Sequence, residues 1–169
     1  EHLFGSAYLW EDFAEYIYPV QTFAAREFAQ GRIPLWNPFA FAGMPFLADL
    51  QVGFFYPLNR ILTLFVGAEG TLPAKMLELS LIIHFFIAQI SMFALMKNLK
   101  VSLWGAIFSA ITYSFSFLLV CHAIHPMIVM HLAWFPLIFM YYHKANSQSS
   151  IVSAVISGLL LGMVMLSGH

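Results

Sequence analysis

Four long runs without Asp, Glu, Lys or Arg limit what this chain can become: residues 79–96 (a helix there extending back toward Pro73, past Glu78 and Lys75), 101–121, 126–142 and 151–167. A helix needs about 20 residues to cross a hydrocarbon core, with a range of about 17–25. In lipid, only helices and closed barrels satisfy their own backbone groups. The runs lack the period-2 alternation of a barrel strand. The expectation is therefore four transmembrane helices, at about 73–96, 101–121, 126–142 and 151–167. Composition agrees: 61% of the 169 residues are hydrophobic and 9% are charged. A soluble domain carries about 25% charged residues.

Charge is distributed unevenly along the chain. Residues 1–72 hold seven acids (Glu1, Glu11, Asp12, Glu15, Glu27, Asp49, Glu69) against three arginines (Arg26, Arg32, Arg60), a balance of −4. Beyond residue 96 the only charges are Lys97, Lys100 and Lys144. If the four helices alternate, the turn at 97–100 and the expected loop 143–150 share one face, which the positive-inside rule makes cytoplasmic. Segment 1–72 then lies outside, with the loop around His122 and His125. No basic patch suits nucleic acid. Cys121 is the only cysteine, so no internal disulfide can form, and it reads as a small packed residue. The chain opens at Glu1 rather than at a methionine, and is expected to be a fragment that lacks an N-terminal membrane helix. It stops just after an apolar run, as a piece of a larger membrane domain would.

Segment 1–72 is rich in aromatics, Gly and Pro. Asp12-Phe13-Ala14-Glu15 has the form of a capping box, with Asp12 as N-cap. Phe13, Ile17, Val20, Ala24 and Phe28 follow at helical spacing, while Glu15, Thr22, Arg26 and Gln30 lie off that stripe. Pro19 kinks or restarts the pattern, and Gly31 with Pro34 ends it. Residues 12–30 thus read as an amphipathic helix or helix pair on the membrane surface. Residues 31–60, broken by four prolines, read as an irregular aromatic-lined loop. The fold expected is all-α: a polytopic transmembrane helix bundle, residues 73–169, behind a long N-terminal extracytoplasmic loop, residues 1–72, that contains an interfacial helix.

Several residues could carry chemistry. The pair Glu11-Asp12 sits where a carboxylate can act as general base, or hold a divalent cation that carries a phosphate. The plainer role for Asp12 is the helix cap. In Gly31-Arg32-Ile33-Pro34-Leu35-Trp36-Asn37-Pro38, two prolines fix the backbone around an aromatic face and an amide. That pairing suits a sugar or a headgroup, and equally an interfacial anchor. Asp49 and Gln51 are polar groups in apolar surroundings that need partners. Arg60 can meet a phosphate or anchor the loop. His122, His125 and His169 share a side in this topology, but no established metal spacing is present, and no metal site is assigned. No cofactor motif appears, so a divalent cation is the only candidate cofactor.

The residues Asp12, Tyr18-Pro19, Gly31-Arg32-Ile33-Pro34-Leu35-Trp36-Asn37-Pro38, Gly43-Met44-Pro45-Phe46-Leu47-Ala48-Asp49-Leu50-Gln51 and Tyr56-Pro57-Leu58 resemble the YfhO-like family of bacterial membrane proteins. The closing Ser167-Gly168-His169 is similar to the start of that family's Ser-Gly-His-Pro-Gln element. The family is in turn similar to glycosyltransferases of the GT-C class, multi-helix membrane enzymes that use polyprenyl-phosphate-linked sugars. The resemblance implies a bacterial cytoplasmic-membrane enzyme. It implies an acidic residue of the first outer loop, here Asp12 with Glu11 beside it, as base or metal partner. The acceptor would be a cell-envelope polymer or lipid. Residue chemistry adds Arg32 or Arg60 for the departing phosphate, Trp36 for stacking, and Asn37, Asp49 and Gln51 for hydroxyls. Two other functions fit the same composition. One is a transporter or flippase for an envelope lipid, although its polar residues would be expected near the midplane. The other is a noncatalytic membrane scaffold subunit.

Overall fold

The computed structural model describes residues 12–67 and 70–168. The described residues are mostly helical and divide into two compact units. One is Glu1–Ser80 with Leu166–His169, and the other is Leu81–Met165.

In the first unit the chain enters through a π-helical turn, Phe13–Ile17, which runs into α1, Tyr18–Ala29. Pro19 explains the junction. It has no N–H to offer the Glu15 carbonyl, and its ring crowds that oxygen. The preceding turn is therefore wound wider, with Tyr18 N–H donating to Phe13 O. The expected capping box does not form. Asp12 has helical angles (φ −52°, ψ −33°), and its side chain makes no cap hydrogen bond. An N-cap needs extended angles to turn its oxygen back on the helix. At the other end, Gly31 (φ +72°) closes α1 in a Schellman motif, with Arg32 N–H donating to Glu27 O at 3.0 Å and Gly31 N–H to Phe28 O at 2.9 Å.

The loop expected over residues 31–60 is more ordered than its prolines suggest. Strands β1 (Trp36–Asn37) and β2 (Met44–Pro45) pair antiparallel, Trp36 opposite Pro45. Their connection passes through Phe41, Ala42 and Gly43, all with positive φ. A side chain on Gly43 would meet the Trp36 indole at 2.7 Å, so only glycine lets that ring lie against the backbone. Two 3₁₀ turns (Phe46–Ala48 and Leu50–Val52), α2 (Pro57–Ile61) and a further 3₁₀ turn (Leu62–Phe65) follow. The adjacent small residues Ala24 and Ala25 let α1 pack on two sides. Ala25 joins Phe13, Leu62, Leu72 and Leu77. Ala24 joins Phe46, Val52 and Phe54.

The second unit is built from the remainder of α3 (Ala74–Asn98) with α4 (Leu103–Ser114), α5 (Phe117–Cys121), α6 (Pro126–Gln148) and α7 (Ile151–Met165). Two helical stretches, Ala74–Asn98 and Leu103–Ile124, are long and apolar enough to cross a membrane; Ile151–Met165 is apolar but shorter. The expected span 101–121 is broken at Phe115 and Ser116, where Ser116 caps α5 by accepting from Leu119 N–H. The expected loop 143–150 is mostly helix: α6 continues to Gln148, because nothing before Ser149 (φ +50°) breaks it. Lys144 consequently lies on α6, its ammonium 5.3 Å from the Tyr141 ring.

This unit buries Leu81, Leu119, Val129, Met130 and Ile138, and with them several small or polar residues, while many large apolar side chains stay exposed. His84, Ser91, Ser114, Ala88, Ala106 and Ala133 are buried, while Phe86, Trp104, Phe108, Phe117 and Leu159 are exposed. Buried small residues let helices approach closely, and buried polar ones can bond between helices. Such bonds are present. Tyr113 O–H donates to Leu132 O at 2.8 Å, Ser157 O–H to Ile138 O at 3.1 Å, and Asn98 Nδ2 lies 3.3 Å from His143 Nδ1. The last brings the end of α3, with Lys97 and the following turn that holds Lys100, beside the end of α6, with Lys144.

Candidate functional site

A cleft of about 660 Å³ opens in the first unit, lined by Glu15, Tyr16, Thr22, Phe23, Arg26, Asn37, Phe39, Phe41, Phe46, Asp49 and Thr71 among others. The π-helical turn and α1 together supply one wall. Glu15, Thr22 and Arg26 recur at helical spacing on the face opposite the packed stripe of Ile17 and Ala24. The β1–β2 hairpin supplies Asn37, Phe39 and Phe41, and the 3₁₀ segment supplies Phe46 and Asp49.

Asp49 is fixed twice. Its Oδ1 accepts from Gln51 N–H at 3.1 Å, capping the turn Leu50–Val52, and its Oδ2 accepts from the Tyr16 hydroxyl. Burial, then the hydrogen bond and the negative charge of Asp49, push the Tyr16 phenol well above its ordinary range. Tyr16 therefore stays protonated and keeps donating at physiological pH. The Asn37 side chain is buried, and its Oδ1 accepts from Phe39 N–H at 3.0 Å, so its NH₂ is the end available to a ligand. Thr22 Oγ1 is buried without a hydrogen-bond partner.

Arg26 provides the cleft's positive charge. Its guanidinium carbon sits 5.7 Å from the Phe23 ring centroid and 5.8 Å from that of Phe39. Glu27 is 4.0 Å away but committed to Arg32 through two short bonds, 2.8 and 2.9 Å. Those bonds hold the Glu27 carboxyl below its usual range. Arg26 is thus only weakly neutralised and faces a cleft walled by aromatic rings.

The cleft gathers Asn37 and Asp49 from the residues singled out in the sequence. The others lie elsewhere. Asp12 is exposed and outside the lining, and Glu11 falls outside the described residues. Arg32 is exposed and paired with Glu27. Trp36 is exposed with its indole against Gly43. Gln51 contributes its backbone N–H to Asp49. Arg60 is enclosed by Phe54 and Phe28, at 4.1 and 5.2 Å, with Nε and Nη1 buried and unpaired; burial pulls its pKa down to about 10. Tyr16 and Arg26 were not singled out in the sequence. Their signal was the polar face of α1, visible as Glu15, Thr22 and Arg26 off the apolar stripe. Among the described residues no group of three His, Cys, Asp or Glu side chains could hold a metal ion. The His122 and His125 rings lie 5.8 Å apart, and His169 is outside the described residues.

No family model, no curated protein and no solved structure matches the chain.

Proposed function

We propose that this chain belongs to a multi-pass glycosyltransferase of the bacterial cytoplasmic membrane. It would move a sugar from a polyprenyl-phosphate carrier to a cell-envelope acceptor on the outer face. The observation that carries the reading is the Asp49 carboxylate, held by Tyr16 in an aromatic-walled cleft that also contains Arg26. The membrane setting is supported by two helices long and apolar enough to cross and by the many large apolar side chains the second unit leaves exposed, Phe86, Trp104, Phe108, Phe117 and Leu159 among them. The orientation rests on the three lysines at one end of that unit. The donor class rests on the resemblance to YfhO-like proteins.

In this reading Asp49, rather than Asp12, is the base. It takes the proton of an acceptor hydroxyl as that oxygen bonds to the anomeric carbon. The bond from that carbon to the carrier phosphate breaks, and the polyprenyl phosphate leaves with the electron pair. Arg26 offsets the charge that develops on it. Aromatic walls suit the apolar faces of a sugar ring, and the Asn37 amide and Thr22 hydroxyl suit its hydroxyl groups.

The test is transfer of labelled sugar in membrane vesicles supplied with a panel of polyprenyl-phosphate hexoses. Asp49→Asn, expressed at the parent level, should lower transfer at least about 100-fold, the lower end of general-base catalysis. Undiminished transfer would remove Asp49 as base. Lipid movement without any covalent change would replace the enzyme with a flippase.

A further inference from the structure

The turn that carries Asp49 is gripped from behind. Gln21 Nε2 donates to Val52 O at 2.6 Å and Asn59 Nδ2 to Gly53 O at 3.1 Å, and both amide side chains are buried. The third grip is backbone against backbone. A side chain on Gly53 would meet Ser167 O at 2.5 Å, and one on Gly168 would meet Gly53 N at 2.9 Å and Leu50 O closer still. Both glycines have positive φ, +54° and +105°, and Ser167 is 1% exposed. Two glycines thus interlock where neither could carry a Cβ.

This contact is more than packing, because of what lies on the other side of the turn. Asp49 caps that same turn through Gln51 N–H and meets Tyr16 through its second oxygen. The Gln51 N–H that Asp49 accepts from belongs to residues 50–53, so a displacement of that turn bears directly on the Asp49 carboxylate. We infer that Ser167 and Gly168, with the Gln21 and Asn59 amides, are positioning residues that set the reach of Asp49 to Tyr16. Their importance to catalysis rests on the proposed role of Asp49; their geometric effect does not.

The experiment places 3-fluorotyrosine at position 16 of the full chain in detergent and follows its ¹⁹F resonance with pH. In the parent protein the phenol should ionise well above free fluorotyrosine. Gly168→Ala and Gly53→Ala should each bring the midpoint down by about one pH unit or more, the scale on which one hydrogen-bonded charge moves a titration. Helical circular dichroism should be unchanged. Gly158→Ala, where a Cβ meets nothing within 4 Å, should leave the midpoint in place. Asn59→Ala removes one grip without adding an atom, and should shift the midpoint the same way if an alanine variant does not fold. Folded variants that keep the parent midpoint would overturn the inference. Failure of Asp49→Asn to affect sugar transfer would leave the titration result standing and remove only its catalytic meaning.

Discussion

The hydroxyl of Tyr113 on α4 donates to the carbonyl of Leu132 on α6, the carbonyl that Pro136 leaves without its helical partner. A proline at position i cannot supply the N–H that residue i−4 would accept. An orphan carbonyl out of contact with water is costly, and a neighbouring side chain can fill the gap. Tyr113 does so here, which ties α4 to α6 at the point where α6 is weakest.

Tyr113→Phe should destabilise the second unit by about 1 kcal/mol, the usual net value of such a bond. In the Pro136→Ala background the backbone gains an N–H that can serve Leu132, and the same substitution should cost much less. A double-mutant cycle read by unfolding in mixed micelles measures the difference. Equal costs in both backgrounds would sever the link between Tyr113 and Pro136.

At Arg60 burial outweighs charge. Leaving charged donors unpaired costs more than about 1–3 kcal/mol, while stacking on Phe54 and Phe28 returns about 0.5–2 kcal/mol. Arg60→Met keeps the packing and removes the charge. It should leave thermal stability in detergent unchanged or higher. A clear drop would mean that the guanidinium is compensated and stabilising.

Tyr16 gives the pH dependence its sign. Its phenol ionises higher in the folded protein than the unfolded value of about 10. Its stabilising contribution is fully present below pH 10 and is lost as the pH rises beyond it. Denaturation of the parent should show stability flat through neutral pH and falling above about pH 10, with a shallower fall in Tyr16→Phe. Identical alkaline slopes in the two proteins would contradict the Tyr16–Asp49 bond.

Much of the helical framework was legible in the sequence, because proline, glycine and uncharged length act locally. Pro19 restarts the first helix, Gly31 ends α1, and helices follow, although the second expected span is broken and Ile151–Met165 is shorter than a full crossing. The missed features depend on contacts that spacing cannot show. The break at Ser116 comes from a serine side chain capping α5 in the midst of an apolar run. The continuation of α6 through His143 and Lys144 comes from the absence of any breaker there. Asp49 was legible as a polar residue needing a partner. That the partner is Tyr16, 33 residues earlier, follows only once α1 and the 3₁₀ turns pack on each other through Ala24, Phe46 and Val52. Asp12 drew attention as a helix cap, yet its own helical angles prevent that role.

Labelling with a membrane-impermeant maleimide tests most directly whether the cleft faces outward. With Cys121 replaced by Ser, Phe41→Cys places a thiol at a cleft position that is 90% exposed, and Gln148→Cys places one near Lys144. In intact cells Phe41→Cys should react at once, and Gln148→Cys only after the membrane is opened. Reaction of Gln148→Cys from outside with Phe41→Cys protected would invert the topology and put the cleft in the cytoplasm, where the proposed donor and acceptor are not presented.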